Sequence, residues 1–234
     1  MEQAQVPENP CPDRSAGPGS KILFALRGAG AVPEILHCKA GQVVEEWILS
    51  GTGALWVQGA PGSGCTTLVA GAIHRALSGA NGRFLGALRI EGRPGSRMEE
   101  ALSEINEFLR QLGIHDLDEV LDQRTSLTAK ISILLTVLCR HCVVLWFDDF
   151  EHLSASGGAD AGLPLRYFAQ GWAEIPSGAG KVIVVTENGG PDGLLLETTG
   201  AQRMSVQETG GVAVEELLGH LEKSVPLGRW EPGT

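Results

Sequence analysis

Residues 54–70 read ALWVQGAPGSGCTTLVA, and the fold follows from how that stretch divides. The apolar run at 54–57 has the pattern of a buried strand. Residues 59–64 form a glycine-rich turn, with Gly59, Gly62 and Gly64 spaced along it. From Thr66 onward the residues are the small and apolar ones of a helix. Strand, glycine turn and helix in that order are the arrangement of a phosphate-binding loop, G-x-x-x-x-G-K-[ST]. Every position fits except the lysine, where Cys65 stands.

A phosphate loop works mainly through its backbone. Glycines let successive N–H groups point inward, and the N-terminus of the following helix adds partial positive charge. Gly59, Ala60, Pro61, Gly62, Ser63, Gly64, Cys65, Thr66 and Thr67 are therefore the candidate phosphate-binding residues. The Thr66 hydroxyl sits where a Mg²⁺ ligand belongs. The usual lysine bridges the β- and γ-phosphates and carries charge into the transition state. A thiol is neutral or, once ionised, negative, so Cys65 cannot replace it. Losing one such preorganised donor costs roughly 10²–10³ in rate. Binding suffers less, because the backbone cradle remains. The competing reading of the same residues is a strand-to-helix turn with no ligand.

Working outward, residues 142–147 (CVVLWF) are an apolar run with no polar alternation, as expected of a strand covered on both faces. It ends in Asp148 and Asp149, which is a Walker B pattern. Asp148 is the candidate Mg²⁺ ligand, acting through water. Asp149 or Glu151 is the candidate for orienting an attacking water. A further buried run, 181–185 (KVIVV), ends in Thr186, where a sensor residue would meet the γ-phosphate. Carboxylates and hydroxyls at strand ends are also common without function.

The remaining segments alternate. A strand or helix start is expected over 21–27 and a helix over 42–49, with Val43, Val44, Trp47 and Ile48 on one face. Residues 83–90 read as a strand. A helix follows over 98–112, capped by Ser96 with Glu99 completing a capping box. Residues 115–124 read as a loop with a short turn, and 126–139 as an apolar helix. Loops are expected at 154–162, 176–180 and 189–193, helices over 163–172 and 212–221, and a fifth strand over 202–206. Strands alternating with helices give an α/β class. The expected fold is a three-layer P-loop NTPase with a central parallel sheet of about five strands. The proline- and glycine-rich residues 1–20 read as a flexible leader, 21–223 as the domain and 224–234 as a tail.

Bulk properties narrow the functions. A net charge of −10 argues against general nucleic-acid binding, which needs clustered Lys and Arg. No apolar run reaches the roughly 20 residues of a membrane span. The five cysteines follow no disulfide framework and no signal pattern opens the chain, so a cytoplasmic, reducing location is expected. Cys139 and Cys142 form a lone C-x-x-C, read as packed structural cysteines. His37, His74, His115, His152 and His220 show no metal spacing.

On residues 55–68 (LWVQGAPGSGCTTL), 142–153 (CVVLWFDDFEHL) and 181–188 (KVIVVTEN), the chain resembles STAND-class P-loop NTPases, the AAA+-related group that contains NACHT and NB-ARC domains. The resemblance spans about residues 41–221. It implies ATP/ADP and Mg²⁺ as cofactors, slow hydrolysis and a switch that works through self-oligomerisation or a protein partner. The chain departs from that pattern in three places. Cys65 replaces the lysine. Glu187 and Asn188 stand where an arginine often follows the sensor strand. No winged-helix lid or sensory repeats follow the sheet, as in a bare core, a degenerate paralogue or half of a split system. Two functions follow as expectations: a nucleotide-binding switch or scaffold with weak or no hydrolysis, ATP before GTP, or an interaction subunit that binds no nucleotide. A third is an active ATPase or kinase whose lysine comes from elsewhere, with Lys181 and Lys130 as candidates.

Overall fold

The computed structural model describes residues 23–25, 39–79, 83–122, 124–154, 167–168, 171–172, 179–187 and 202–206. The leader at 1–20, the tail at 224–234, the helix at 212–221, the loop at 189–193 and most of 154–172 lie outside the described residues. The elements run β1 (Leu23–Ala25), α1 (Lys39–Ser50), β2 (Ala54–Gly59), α2 (Cys65–Gly79), β3 (Gly86–Glu91) and α3 (Met98–Gln111). They continue as α4 (Asp118–Asp122), α5 (Leu127–Arg140), β4 (Val143–Asp148), α6 (Phe150–Ser154), β5 (Lys181–Glu187) and β6 (Gln202–Val206).

All strand pairs are parallel, in the order β1-β3-β4-β5-β2-β6. The sheet has six strands against the expected five or so, the extra one being β1 at the edge. Each strand sends alternate residues to opposite faces. From β4, Trp146 and Val144 join Val44, Trp47, Ile48, Val69 and Ile73 of α1 and α2. Leu145 and Phe147 point the other way, against Leu102, Ile105, Leu134 and Leu138 of α3 and α5. Two apolar layers on one sheet make the three-layer architecture, and they explain why all six residues of β4 are buried. Among the described residues no helix is long and apolar enough to cross a membrane.

Local expectations are corrected in a few places. Val43 is exposed rather than buried, because the buried face of α1 runs through Gly41, Val44, Trp47 and Ile48. Ser96 does not cap α3. Its Oγ accepts from the Arg93 N–H at 3.0 Å and closes a turn, so the cap moves to Arg97, whose N–H donates to Glu100 Oε2 at 3.3 Å. The polar stretch after α3 forms the short helix α4, with Asp118 held by His115 and Asn106.

Lys181 opens β5 at the end of the sheet away from the glycine turn, since Ala54 pairs with Val182 and Gly59 with Glu187. Its ammonium donates to the Gly51 carbonyl and lies 5.7 Å from the Trp47 ring. Burial, with the Arg83 charge nearby, pulls its pKa down from 10.5 to about 8. The unfolded chain then holds this proton over a window in which the folded chain has lost it. Stability is expected to rise as pH climbs from about 8 toward 10.5, and Lys181 contributes no slope below that window. The rise is about 2 kcal/mol after allowance for solvent screening. Urea unfolding at both ends of the window checks this, with Lys181→Met as the variant that should lack the rise.

Candidate phosphate-loop site

The glycine turn has the backbone that the sequence requires. Gly62 and Gly64 adopt φ of 78° and 80°, the left-handed region that side chains disfavour. The Ser63 N–H donates to the Ala60 carbonyl at 2.9 Å and closes the turn. The Leu68 N–H reaches the Gly64 carbonyl at 2.9 Å, which starts the helical ladder. The N–H groups of Cys65, Thr66 and Thr67 therefore lie in the first turn, where a helix offers them no acceptor. No atom lies within 4 Å of where a Cβ would stand on Gly62 or Gly64, so the space beside the turn is open.

Gly59 is different. A Cβ there would lie 2.4 Å from both Cys65 Sγ and Ser63 Oγ. Those two side chains fold back over the strand end, with Ser63 Oγ and Cys65 Sγ 3.2 Å apart. Cys65 is only 7% exposed. Burial pushes its thiol up, so it is a neutral group at physiological pH.

Asp148 closes β4 opposite Glu91 of β3. The Thr66 hydroxyl donates to Asp148 Oδ1 at 3.3 Å, which joins the two stretches that the sequence singled out. Asp148 has no exposed surface. Its Oδ2 accepts from Arg89 Nε at 2.9 Å and from Arg89 Nη2 at 2.6 Å. The Arg89 guanidinium also lies 5.2 Å from the Trp146 ring. Burial pushes the Asp148 carboxyl up, and the Arg89 hydrogen bonds and charge pull it back without cancelling the rise.

Asp149 has φ of 50°, the only left-handed non-glycine residue among those described. Aspartate tolerates this conformation better than most side chains. Here it turns the chain sharply from β4 into α6. The Gly92 N–H donates to the Asp148 carbonyl at 2.8 Å, and a Cβ on Gly92 would lie 2.1 Å from the Asp149 carbonyl oxygen. The tips of β3 and β4 are thereby interlocked. Glu151 lies in α6, with its side chain outside the described set. Thr186 is buried on β5, paired with Gln58 beside the loop.

Several sequence candidates separate from the site. Lys181 is at the opposite end of the sheet, and Lys130 donates to the Leu121 carbonyl at 3.3 Å, so neither stands in for the missing lysine. Cys139 is free while Cys142 is disulfide-bonded, so the C-x-x-C is not a paired unit, and the reading that the cysteines follow no disulfide framework is corrected at Cys142. Among the described residues no cluster of three His, Cys, Asp or Glu could hold a metal. A cavity of about 570 Å³ lies between β3 and α3, edged by Glu91, Arg93, Arg97, Glu100 and Glu104, and no residue of the glycine turn lines it.

Arg89 was not among the sequence candidates. Its signal was a single charge inside the apolar run 84–90. A charge buried in a parallel sheet needs a partner, and the carboxylate at the same sheet end is one.

The donor set suits a phosphate group: first-turn N–H groups and open space beside Gly62 and Gly64. It does not suit a divalent cation while Arg89 stays in place. Both Asp148 oxygens are engaged and neither is exposed, whereas Mg²⁺ keeps several waters in octahedral geometry.

Solved structures share this fold. The ORC2 protein of Aeropyrum pernix, determined as ADPNP–ADP complexes, superimposes with a TM-score of 0.53 at 17% identity, covering 79% of this chain and 49% of that one. The fold is the three-layer α/β P-loop NTPase fold with a central parallel sheet. The Walker-type ATPase paby2304 of Pyrococcus abyssi gives 0.53 at 16% identity, covering 87% of this chain and 62% of its own. The Aeropyrum pernix ORC1 protein, solved in complex with DNA, gives 0.51 at 14% identity, covering 74% and 48%. The chain thus spans about half to three-fifths of the length of these neighbours. No protein-family model matches it, and no curated protein matches it.

Proposed function

We propose that the chain is a nucleotide-binding module, taking ATP or ADP on residues 59–67, that serves as a STAND-type regulatory switch or scaffold with weak or no hydrolysis. The observation that carries this reading is the left-handed turn at Gly62 and Gly64, with Thr66 hydrogen-bonded to Asp148. Weak hydrolysis follows from Cys65, which brings no charge to the phosphates. The output of such a switch is contact with a protein partner or a second copy of the chain. The ORC1 neighbour was solved with DNA, but a net charge of −10 weighs against DNA for this chain.

One observation favours the second reading, an interaction subunit that binds no nucleotide. Ser63 and Cys65 pack into the turn against Gly59 and shorten the reach of the cradle. Melting curves separate the two. A ligand that binds only the native state raises the melting temperature, by about 2.7 kcal/mol of added stability at a hundredfold excess over Kd. The switch reading expects such a rise with ADP or ATP. No shift with ADP, ATP or GTP at millimolar concentration leaves only the interaction subunit.

A further inference from the structure

We propose that Arg89 is the resident cation of this site, held on Asp148 where a phosphate loop usually keeps a divalent metal ion, so that nucleotide binds without metal. The proposal rests on the nucleotide-binding reading above and specifies the form of the ligand.

Three observations converge on it. First, the Asp148 carboxylate is already engaged at both oxygens. Its Oδ1 accepts from Thr66 at 3.3 Å, its Oδ2 accepts two N–H groups of Arg89, and the residue is fully buried. A hydrated Mg²⁺ would have to displace a guanidinium that already makes two hydrogen bonds to the carboxylate. Second, the guanidinium is fixed rather than loosely placed. Its residue sits on β3, paired with Trp146 in the sheet, and the group lies against the Trp146 ring. Third, the charges require it. Cys65 supplies none, so without Arg89 the Asp148 carboxylate would face an incoming phosphate as a bare negative charge. With Arg89 paired, the Asp148 charge is neutralised. The backbone N–H groups of residues 65–67 can then accept an anion without a counter-ion.

The usual division of labour is thus altered. A lysine and a metal commonly bring positive charge to the phosphates, whereas here one arginine from the neighbouring strand neutralises the carboxylate and the backbone does the binding. Arg89 is a positioning residue in this scheme, because it acts through Asp148 and Thr66.

Calorimetric titration of the full chain with ADP, once in EDTA and once in Mg²⁺, tests the idea. Wild-type Kd should agree within about threefold between the two conditions, which is under 1 kcal/mol. Arg89→Met, which releases the Asp148 carboxylate, should bind ADP at least about tenfold more tightly with Mg²⁺ than with EDTA. Mn²⁺ added with ADP should give no immobilised spin-resonance signal on wild type and a clear one on Arg89→Met. A wild-type Kd at least about tenfold weaker in EDTA overturns the Arg89 proposal and leaves the nucleotide site standing. Absence of ADP binding in both conditions removes the nucleotide site, and the proposal with it. If Arg89→Met does not fold, the wild-type titrations and the Mn²⁺ signal decide the matter.

Discussion

Cys65→Lys is expected to tighten ADP binding by roughly ten- to a hundredfold. A charge-assisted hydrogen bond contributes about 1.5–3 kcal/mol, and each 1.4 kcal/mol is tenfold in Kd. The free protein should move the opposite way. The thiol is buried against Gly59 and Ser63, and a lysine stem overfills that space at a cost of about 1–3 kcal/mol. The variant should therefore melt lower without ligand and show a larger rise with ADP. Cys65→Met adds bulk without charge, so it should reproduce only the first effect. Unchanged ADP affinity in Cys65→Lys would mean that no phosphate sits in this loop.

Arg89→Met should cost about 3–5 kcal/mol of stability, the penalty for leaving a buried charge without its partner. The Arg89 side chain is 7% exposed and Asp148 not at all, so little solvent is at hand to compensate. Adding Asp148→Asn removes the stranded charge and should return most of the loss. Replacing a buried pair altogether is often close to neutral. Urea denaturation of wild type, both single variants and the double variant closes the cycle and isolates the coupling. A loss below about 1 kcal/mol for Arg89→Met is the size of an exposed pair and would contradict a buried one.

The parts of this architecture that were legible in the sequence are those written in short apolar runs. Residues 54–57, 142–147 and 182–185 each carry a strand with no charged residue needing a partner, and each ends in the polar group that the topology brings to one end of the sheet. The turn at Gly62 and Gly64 was legible because only glycine suits those angles. The partnership of Arg89 with Asp148 was not, because it depends on which strands are neighbours. Residues 83–90 and 142–148 are separated in sequence by three helices, and nothing local pairs Glu91 with Asp148. The cap of α3 was misplaced by one residue for a smaller reason: the Ser96 hydroxyl had a turn to close, and sequence spacing does not show that competition. Lys181 looked like a free cation by composition, yet strand direction places it at the far end of the sheet.

The strand order has a consequence for synthesis. The strand that delivers the glycine turn, β2, is flanked by β5 and β6, which are made more than a hundred residues later. Its hydrogen-bonding edges stay open while β3 and β4 emerge and pair with each other and with β1, which is already made. Closure of such distant pairs is slow, because the chain loses loop entropy before the contacts compensate. The half of the sheet that carries Arg89 and Asp148 can form on the nascent chain first. The loop that meets them gains its last neighbours only when residues 202–206 arrive, so a chain cut short after residue 180 would present β2 as two unpaired edges open to aggregation.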